Sequence, residues 1–163
     1  ELGNFIHGSD ISAGGGRLTN AGLKGTPQLV APGCYDLVDV VGWKDVPEKW
    51  SDHMMHEHNR LLTSIVLKNA EREAVAKAHC EQLATAKGPL AVLLPTHGFG
   101  EWDRVGADLH DKEGLEVFLA AFKAEMPANA NVHMIDAHIN DTVFTDKALE
   151  IFDGWCADGK ITH

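Results

Sequence analysis

Short apolar runs alternate with helical stripes along this chain, and each run stops at turn-forming residues. Gln28-Leu29-Val30 ends at Ala31-Pro32-Gly33, and Leu90-Ala91-Val92-Leu93-Leu94 ends at Pro95-Thr96-His97-Gly98. Val132-His133-Met134-Ile135-Asp136 runs into Ala137-His138-Ile139-Asn140-Asp141, and Leu62 to Leu67 reads as a further strand. Between them lie helical patterns at Glu1 to Gly8, Arg17 to Lys24, Asn69 to Lys87, Glu113 to Met126 and Asp141 to Cys156. Val75, Ala76, His79 and Leu83 share one helical face, as do Leu115, Phe118, Leu119, Phe122 and Met126. Phe144, Ala148, Ile151, Phe152 and Trp155 form a third stripe. Residues 32–61 show no long periodic element. The alternation predicts an α/β fold with a mainly parallel sheet flanked by helices, centred on Leu29, Val66, Leu93 and Ile135. Right-handed crossovers then bring loops 31–61, 95–112 and 137–141 to one edge. Ligands bind outside the carboxyl ends of such strands.

Length changes this picture little: 163 residues suit one domain, here 1–157 with a tail at 158–163. The first helix has no initiator Met, no N-cap and no strand before it, which leads us to expect a piece of a longer protein. A formal charge of −10, without a basic stripe, argues against nucleic acid. No apolar run approaches the roughly 20 residues that span a bilayer, so no membrane partner is expected. Cys34, Cys80 and Cys156 are odd in number and share no metal-type spacing, which points to reduced thiols and a cytoplasmic setting.

The candidate chemistry gathers at the strand ends. Gly14-Gly15-Gly16-Arg17 precedes a helix, where backbone N–H groups and a guanidinium can receive phosphate. A flexible turn is the plainer reading. Gly98 and Gly100 permit close approach to a ligand, and His97 between strand and glycines is a candidate acid or base, or simply a turn histidine bonded to backbone. The acidic crowd Glu101, Asp103, Asp108, His110 and Asp111 reads as a solvated loop before it reads as a metal site. Asp136 and His138 lie two apart at a strand end and suit a carboxylate-oriented imidazole, while Asn140 or Asp141 is placed to cap the last helix. His53, His56 and His58 lack the spacing of helical metal ligands, and no metal is predicted. His79, on an apolar face, reads as a satisfied core histidine. No serine nucleophile elbow or Cys-His dyad is legible.

Several segments occur together in order: Pro32-Gly33-Cys34-Tyr35-Asp36-Leu37-Val38, Val46-Pro47-Glu48-Lys49-Trp50, His58-Asn59, Leu93-Leu94-Pro95 and Asp136-Ala137-His138-Ile139-Asn140-Asp141. Along nearly its whole length the chain resembles the second half of an uncharacterised protein family. That family includes the ATP-binding N-terminal region of the tomato mosaic virus resistance protein. The resemblance implies a two-lobed protein of Rossmann-like, three-layer lobes, of which this would be the C-terminal one. Its partners would then be the missing N-terminal lobe, a small phosphorylated ligand such as ATP or a related nucleotide, and further copies of itself. The chain departs from the family pattern at Gly14 to Arg17, at Arg60 where Pro is common, and through loop 97–105. The leading expectation is a lobe of a nucleotide- or phosphometabolite-binding protein. Its ligand would be held by Gly14, Gly15, Gly16, Arg17, Gly33, Gly98 and Asn140. The alternatives are a small-molecule enzyme using His97 or His138 with Asp136, and a non-catalytic interaction domain.

Overall fold

Leu90–Pro95 is buried along its entire length, as an unbroken apolar run in the middle of a parallel sheet should be. The computed structural model describes residues 2–12 and 14–161. In chain order it contains α1 (Leu2–Ile6), α2 (Arg17–Leu23), β1 (Gln28–Val30), β2 (Leu37–Val41), β3 (Met55–Asn59), β4 (Leu62–Val66) and α3 (Asn69–Leu83). There follow β5 (Leu90–Pro95), α4 (Lys112–Glu125), β6 (Asn131–Ile135) and α5 (Thr142–Ala157), with 3-10 turns at Glu48–Trp50 and Glu101–Asp103. Glu1, the first residue of the predicted N-terminal helix, and the last two residues of the tail lie outside the described residues.

The strand order β1-β5-β6 is parallel throughout, with Val30 opposite Val92 and Pro95 opposite Ile135. One face of this sheet packs Val30, Val92 and Leu94 against Phe118 and Phe122 of α4 and Val75 and Leu83 of α3. The other presents Ala91, Leu93 and Ile135 to Phe144, with Ala148, Ile151 and Trp155 of α5 beside them. Truncating a fully buried ring such as Phe118 typically costs about 3–5 kcal/mol. The helix starts are locally built: the Asp111 carboxylate accepts from Gly114 N at 2.9 Å, and Glu71 accepts from Lys68 N at 2.8 Å.

The region 32–61, read as irregular, contains two strands. They form a second, antiparallel sheet of order β2-β4-β3. Leu62–Val66 is therefore a strand, as its apolar character predicts, but not one of the parallel sheet. Val66 is only half-buried as a result, and Leu29, on an edge strand, is half-buried too. Leu93 and Ile135 are buried. The two strands within 32–61 lack the apolar signature of buried ones for chemical reasons. β2 carries Asp39 in mid-strand, where its side chain accepts from Ser64 and its backbone N–H donates to Asn4. β3 is polar and exposed, bulged between Glu57 and Asn59, and joined to β4 through Arg60-Leu61 rather than through a glycine-bearing turn. Asn59 Oδ1 accepts from Leu61 N at 2.8 Å and takes over the turn-forming role.

His79 sits in the core, but it is not satisfied. Neither ring nitrogen has a hydrogen-bond partner, and the ring lies 4.9 Å from both Tyr35 and Phe122. Burial pushes its pKa down to about 4, so it is neutral.

Candidate functional site

Three loops leave the carboxyl end of the parallel sheet and interlock there. Thr96 N donates to Ile135 O, His97 N to Ala137 O and Ile139 N to Gly98 O, which zips the 96–98 loop onto 135–139. Cys34 N donates to Phe99 O at 3.1 Å and ties in the loop after β1. A Cβ at Gly33 would meet only Ile139, in ordinary contact. The unusual backbone in that loop belongs instead to Cys34, with φ +50. Its thiol is pushed above the usual range, by burial first and then by Asp36.

Asp103 holds this junction together. Its carboxylate accepts from Phe99 N, from Gly100 N at 3.2 Å, and from Nε2 of His138 at 2.9 Å. Gly98 has φ +127, and a Cβ there would approach the Asp103 carboxylate to 2.7 Å, so this position requires glycine. His138 is buried and engaged on both sides of its ring. Nδ1 accepts from Asn140 N at 3.1 Å, while Nε2 lies 2.7 Å from Gly100 O, an arrangement that assigns the ring proton to Nε2. No lone pair of this imidazole is left for a substrate.

His97 occupies the same edge under opposite conditions. Its Nε2 lies 2.9 Å from Asp136 Oδ1, and both side chains are open to solvent. Asp136 therefore pairs with His97 and not with its sequence neighbour His138. A recess of about 250 Å³ is lined by His97, Arg104, Val105, His138 and Asp141. Arg104 is already committed, to Glu101 at 3.1 Å and to Asp141 at 3.1 Å. Glu101 is held below the usual carboxylate range by Asn140 and Arg104, and Asp141 by the His138 N–H and Arg104. Asn140 thus serves Glu101 at 3.0 Å. Asp141 stands at the N-cap of α5, yet its side chain makes no cap bond and accepts from His138 N instead.

Beneath the loops lies a buried polar layer. Arg72 bonds Leu67 O and Asp111, and a Cβ on Gly114 would fall 1.5 Å from its Nη1, so glycine makes room for the guanidinium. Asp36 is buried with one unpartnered oxygen, and its pKa is pushed up to about 6, by burial first and Asp103 second.

Gly14 to Arg17 is elsewhere. Gly14, Gly15 and Arg17 line a cavity of about 280 Å³ with Leu2, Leu18, Tyr35, Gln82 and the β1 terminus at Leu29 to Ala31. Because β1 stops opposite Val92, this cavity is set back from the end of β5 by three residues, about 10 Å of strand. Gly15 is packed under Phe5, where a Cβ would sit 2.2 Å from the ring, and Gln82 donates to Gly15 O. Helix α2 spans only seven residues, so it adds little dipole. Arg17 itself is exposed and makes no hydrogen bond or ion pair with the described residues.

Among the described residues, no group of three or more His, Cys, Asp or Glu comes together to hold a metal, and no helix is long and apolar enough to cross a membrane. His56 and His58 instead pack on Trp102, at 4.6 and 5.0 Å. Arg72 and Arg104 carry no signal in spacing or composition, and Cys34 and Asp36 stand out only as a free thiol and as members of the 32–38 segment. Asp103 was visible only as one acid among several. The glycine doublet Gly98 and Gly100 was the available signal that something must fold closely beneath that loop.

Residues 1–156 match the profile of the Uncharacterised protein family (UPF0261) C-terminal domain. The chain belongs to the UPF0261 family. It is 42% identical over 161 residues to a UPF0261 protein of Brucella melitensis, covering 99% of this chain and 38% of that protein. It is 28% identical over 154 residues to one of Mesorhizobium japonicum, again covering 38% of the relative. The tomato protein ToMV resistance protein Tm-1 is 23% identical over 154 residues, which are 93% of this chain and 20% of Tm-1. The chain therefore spans well under half the length of the relatives it matches.

Proposed function

We propose that this domain is one lobe of a binding protein for a small phosphorylated ligand, a nucleotide or phosphometabolite, received at the carboxyl side of the parallel sheet. One observation carries the reading: Arg17, a guanidinium without a protein partner among the described residues, stands at the rim of a cavity of about 280 Å³. The cavity walls are mostly apolar, with Tyr35 and the polar Gln82 also lining them. A planar or aliphatic group would fill the cavity while Arg17 forks onto its phosphate. The space lies just below the usual range of about 300–1,000 Å³ for small-molecule sites. It therefore takes part of an ATP-sized ligand, and the remainder would be covered by the additional chain of the longer relatives. The fit to ATP is partial for a second reason: Glu101, Asp136 and Asp141 make the neighbouring edge repel a triphosphate. Calorimetry with ATP, ADP and a sugar phosphate tests this reading. Weak binding by the isolated chain, lowered about tenfold by Arg17→Ala, is expected. Binding indifferent to Arg17→Ala would overturn it.

A second reading, acid–base catalysis, is favoured by His97. A carboxylate 2.9 Å from Nε2 favours the proton there and leaves Nδ1 as the basic nitrogen of a half-exposed side chain that lines an open recess. In that reading Asp136 positions His97, and His138 holds the loops in place.

A further inference from the structure

Among the described residues the parallel sheet has three strands and two open edges, of which the β1 edge is protected. The β1 edge is three residues long, follows Pro27, and is flanked by α2, where the Gln28 side chain donates to Leu18 O at 3.1 Å. In the antiparallel sheet, β3 is bulged and polar, with His56 and His58 packed on Trp102. Among the described residues, the outer edge of β6 has none of these devices. Asn131-Val132-His133-Met134-Ile135 pairs with β5 without interruption and contains no Lys, Arg, Pro or Gly. An edge of this kind invites a further strand.

Apolar side chains flank it on both faces. Val132 and Met134, 36% and 40% exposed, continue the face covered by α3 and α4, beyond the reach of those helices. On the opposite face, α5 turns inward through Phe144, Ala148, Ile151 and Trp155. Its helical spacing then directs Val143, Lys147, Glu150 and Gly154 along one flank. That flank lies on the β6 side, because the charges of Lys147 and Glu150 both bear on His133. Val143 is 59% exposed, and nothing lies within contact distance of a Cβ at Gly154.

We propose that this edge joins two copies of the chain, β6 pairing antiparallel with its counterpart across a two-fold axis through His133. Three features select a second copy. The five-residue edge is self-complementary about its centre, so that Val132 of each copy meets Met134 of the other. The two α5 helices become antiparallel neighbours, bringing Lys147 of one copy toward Glu150 of the other, and these side chains already pair within one copy at 2.7 Å. Finally, α1 packs on β2 and α3 while α2 packs on β1 and α3, on the far side of β5 from β6. That packing leaves the outer β6 edge uncovered by either helix. A pair formed this way has a continuous six-stranded sheet, closed by symmetry against further growth.

Sedimentation equilibrium of the 163-residue chain, from low micromolar to several hundred micromolar, should show a monomer–dimer equilibrium. Val132→Lys with Met134→Lys should weaken it at least about tenfold, while the circular dichroism spectrum stays unchanged. Lys147→Glu should weaken it as well, and adding Glu150→Lys should restore it, because the exchange recreates both cross-axis pairs. Should the lysine variants fail to fold, His133→Cys in a chain carrying Cys34→Ser and Cys156→Ser provides the check. Mild oxidation should link that variant to itself. A chain that stays monomeric throughout, a dimer indifferent to the edge substitutions, or a His133→Cys variant that never cross-links would each overturn the proposal.

Discussion

Two histidine–aspartate pairs stand at the same end of the same sheet, each with a nitrogen–oxygen distance of 2.9 Å, and they have opposite characters. In the His97–Asp136 pair the side chains are 53% and 94% exposed; in the His138–Asp103 pair they are 3% and 11% exposed. His138 has both ring nitrogens committed, and its aspartate also serves two backbone N–H groups. His97 has one nitrogen beside a carboxylate, no hydrogen-bond partner among the described residues at the other, and lines an open recess. Distance therefore does not separate an open pair from a locked one. The number of remaining bonds and the access of water do.

The sharpest way to break this contrast is to remove each carboxylate in turn. Asp103→Ala strips the acceptor from Phe99 N, Gly100 N and the buried His138 at once. It should cost about 3–5 kcal/mol, since orphaned buried donors keep their full desolvation penalty. Asp136→Ala, at a solvent-exposed position, should stay within about 0.5 kcal/mol of the parent. Urea unfolding at neutral pH reads both. Similar losses from the two substitutions would mean that the exposed pair is structural as well.

A third histidine isolates what burial does without a carboxylate. His79 has a folded-state pKa of about 4 against the ordinary 6.5. As pH falls, the unfolded chain takes up this proton first, so stability is lost between about 6.5 and about 4. His79→Phe, placed among Tyr35, Phe118 and Phe122, removes that loss along with two unpartnered nitrogens. Its stabilisation over the parent should grow by about 2 kcal/mol between pH 7 and pH 5. Asp36 has the opposite sign: its pKa is raised from 3.8 to about 6, so stability is gained as pH falls through that window. Asp36→Asn should therefore lose part of its advantage on acidification. A pH-independent difference for His79→Phe would show that the ring is solvated.

The parallel sheet was legible because β5 and β6 are apolar runs followed by turn chemistry, and α4 and α5 carry clean stripes. β2 and β3 were not. Asp39 breaks the alternation of one, and the other presents histidines and a glutamate to solvent, so neither shows the apolar signature of a buried strand. The candidate site divides in the same way. That His97, Gly98 and His138 share an edge followed from strand polarity alone. That His138 would be locked by Asp103 did not, because 35 residues separate them and the contact depends on how a 3-10 turn folds back under Gly98. Arg72 in its glycine-made slot depends likewise on packing between α3 and α4, which no local pattern encodes.

The smallest expected change is the most telling one. His97→Ala should leave unfolding within about 0.5 kcal/mol of the parent, whereas His138→Ala should cost about 2–4 kcal/mol through its lost bonds and the void it leaves. A double-mutant cycle over His97 and Asp136 should give a stability coupling near zero, because an exposed pair gains little in water. The cycle over His138 and Asp103 should give a coupling well above it. A side chain that contributes nothing to folding, yet keeps an imidazole beside a carboxylate at the carboxyl edge of the sheet, is free for the chemistry proposed for that edge. If His97→Ala proved as destabilising as His138→Ala, that freedom would be absent, and His97 would count as a second fastening of the same loops.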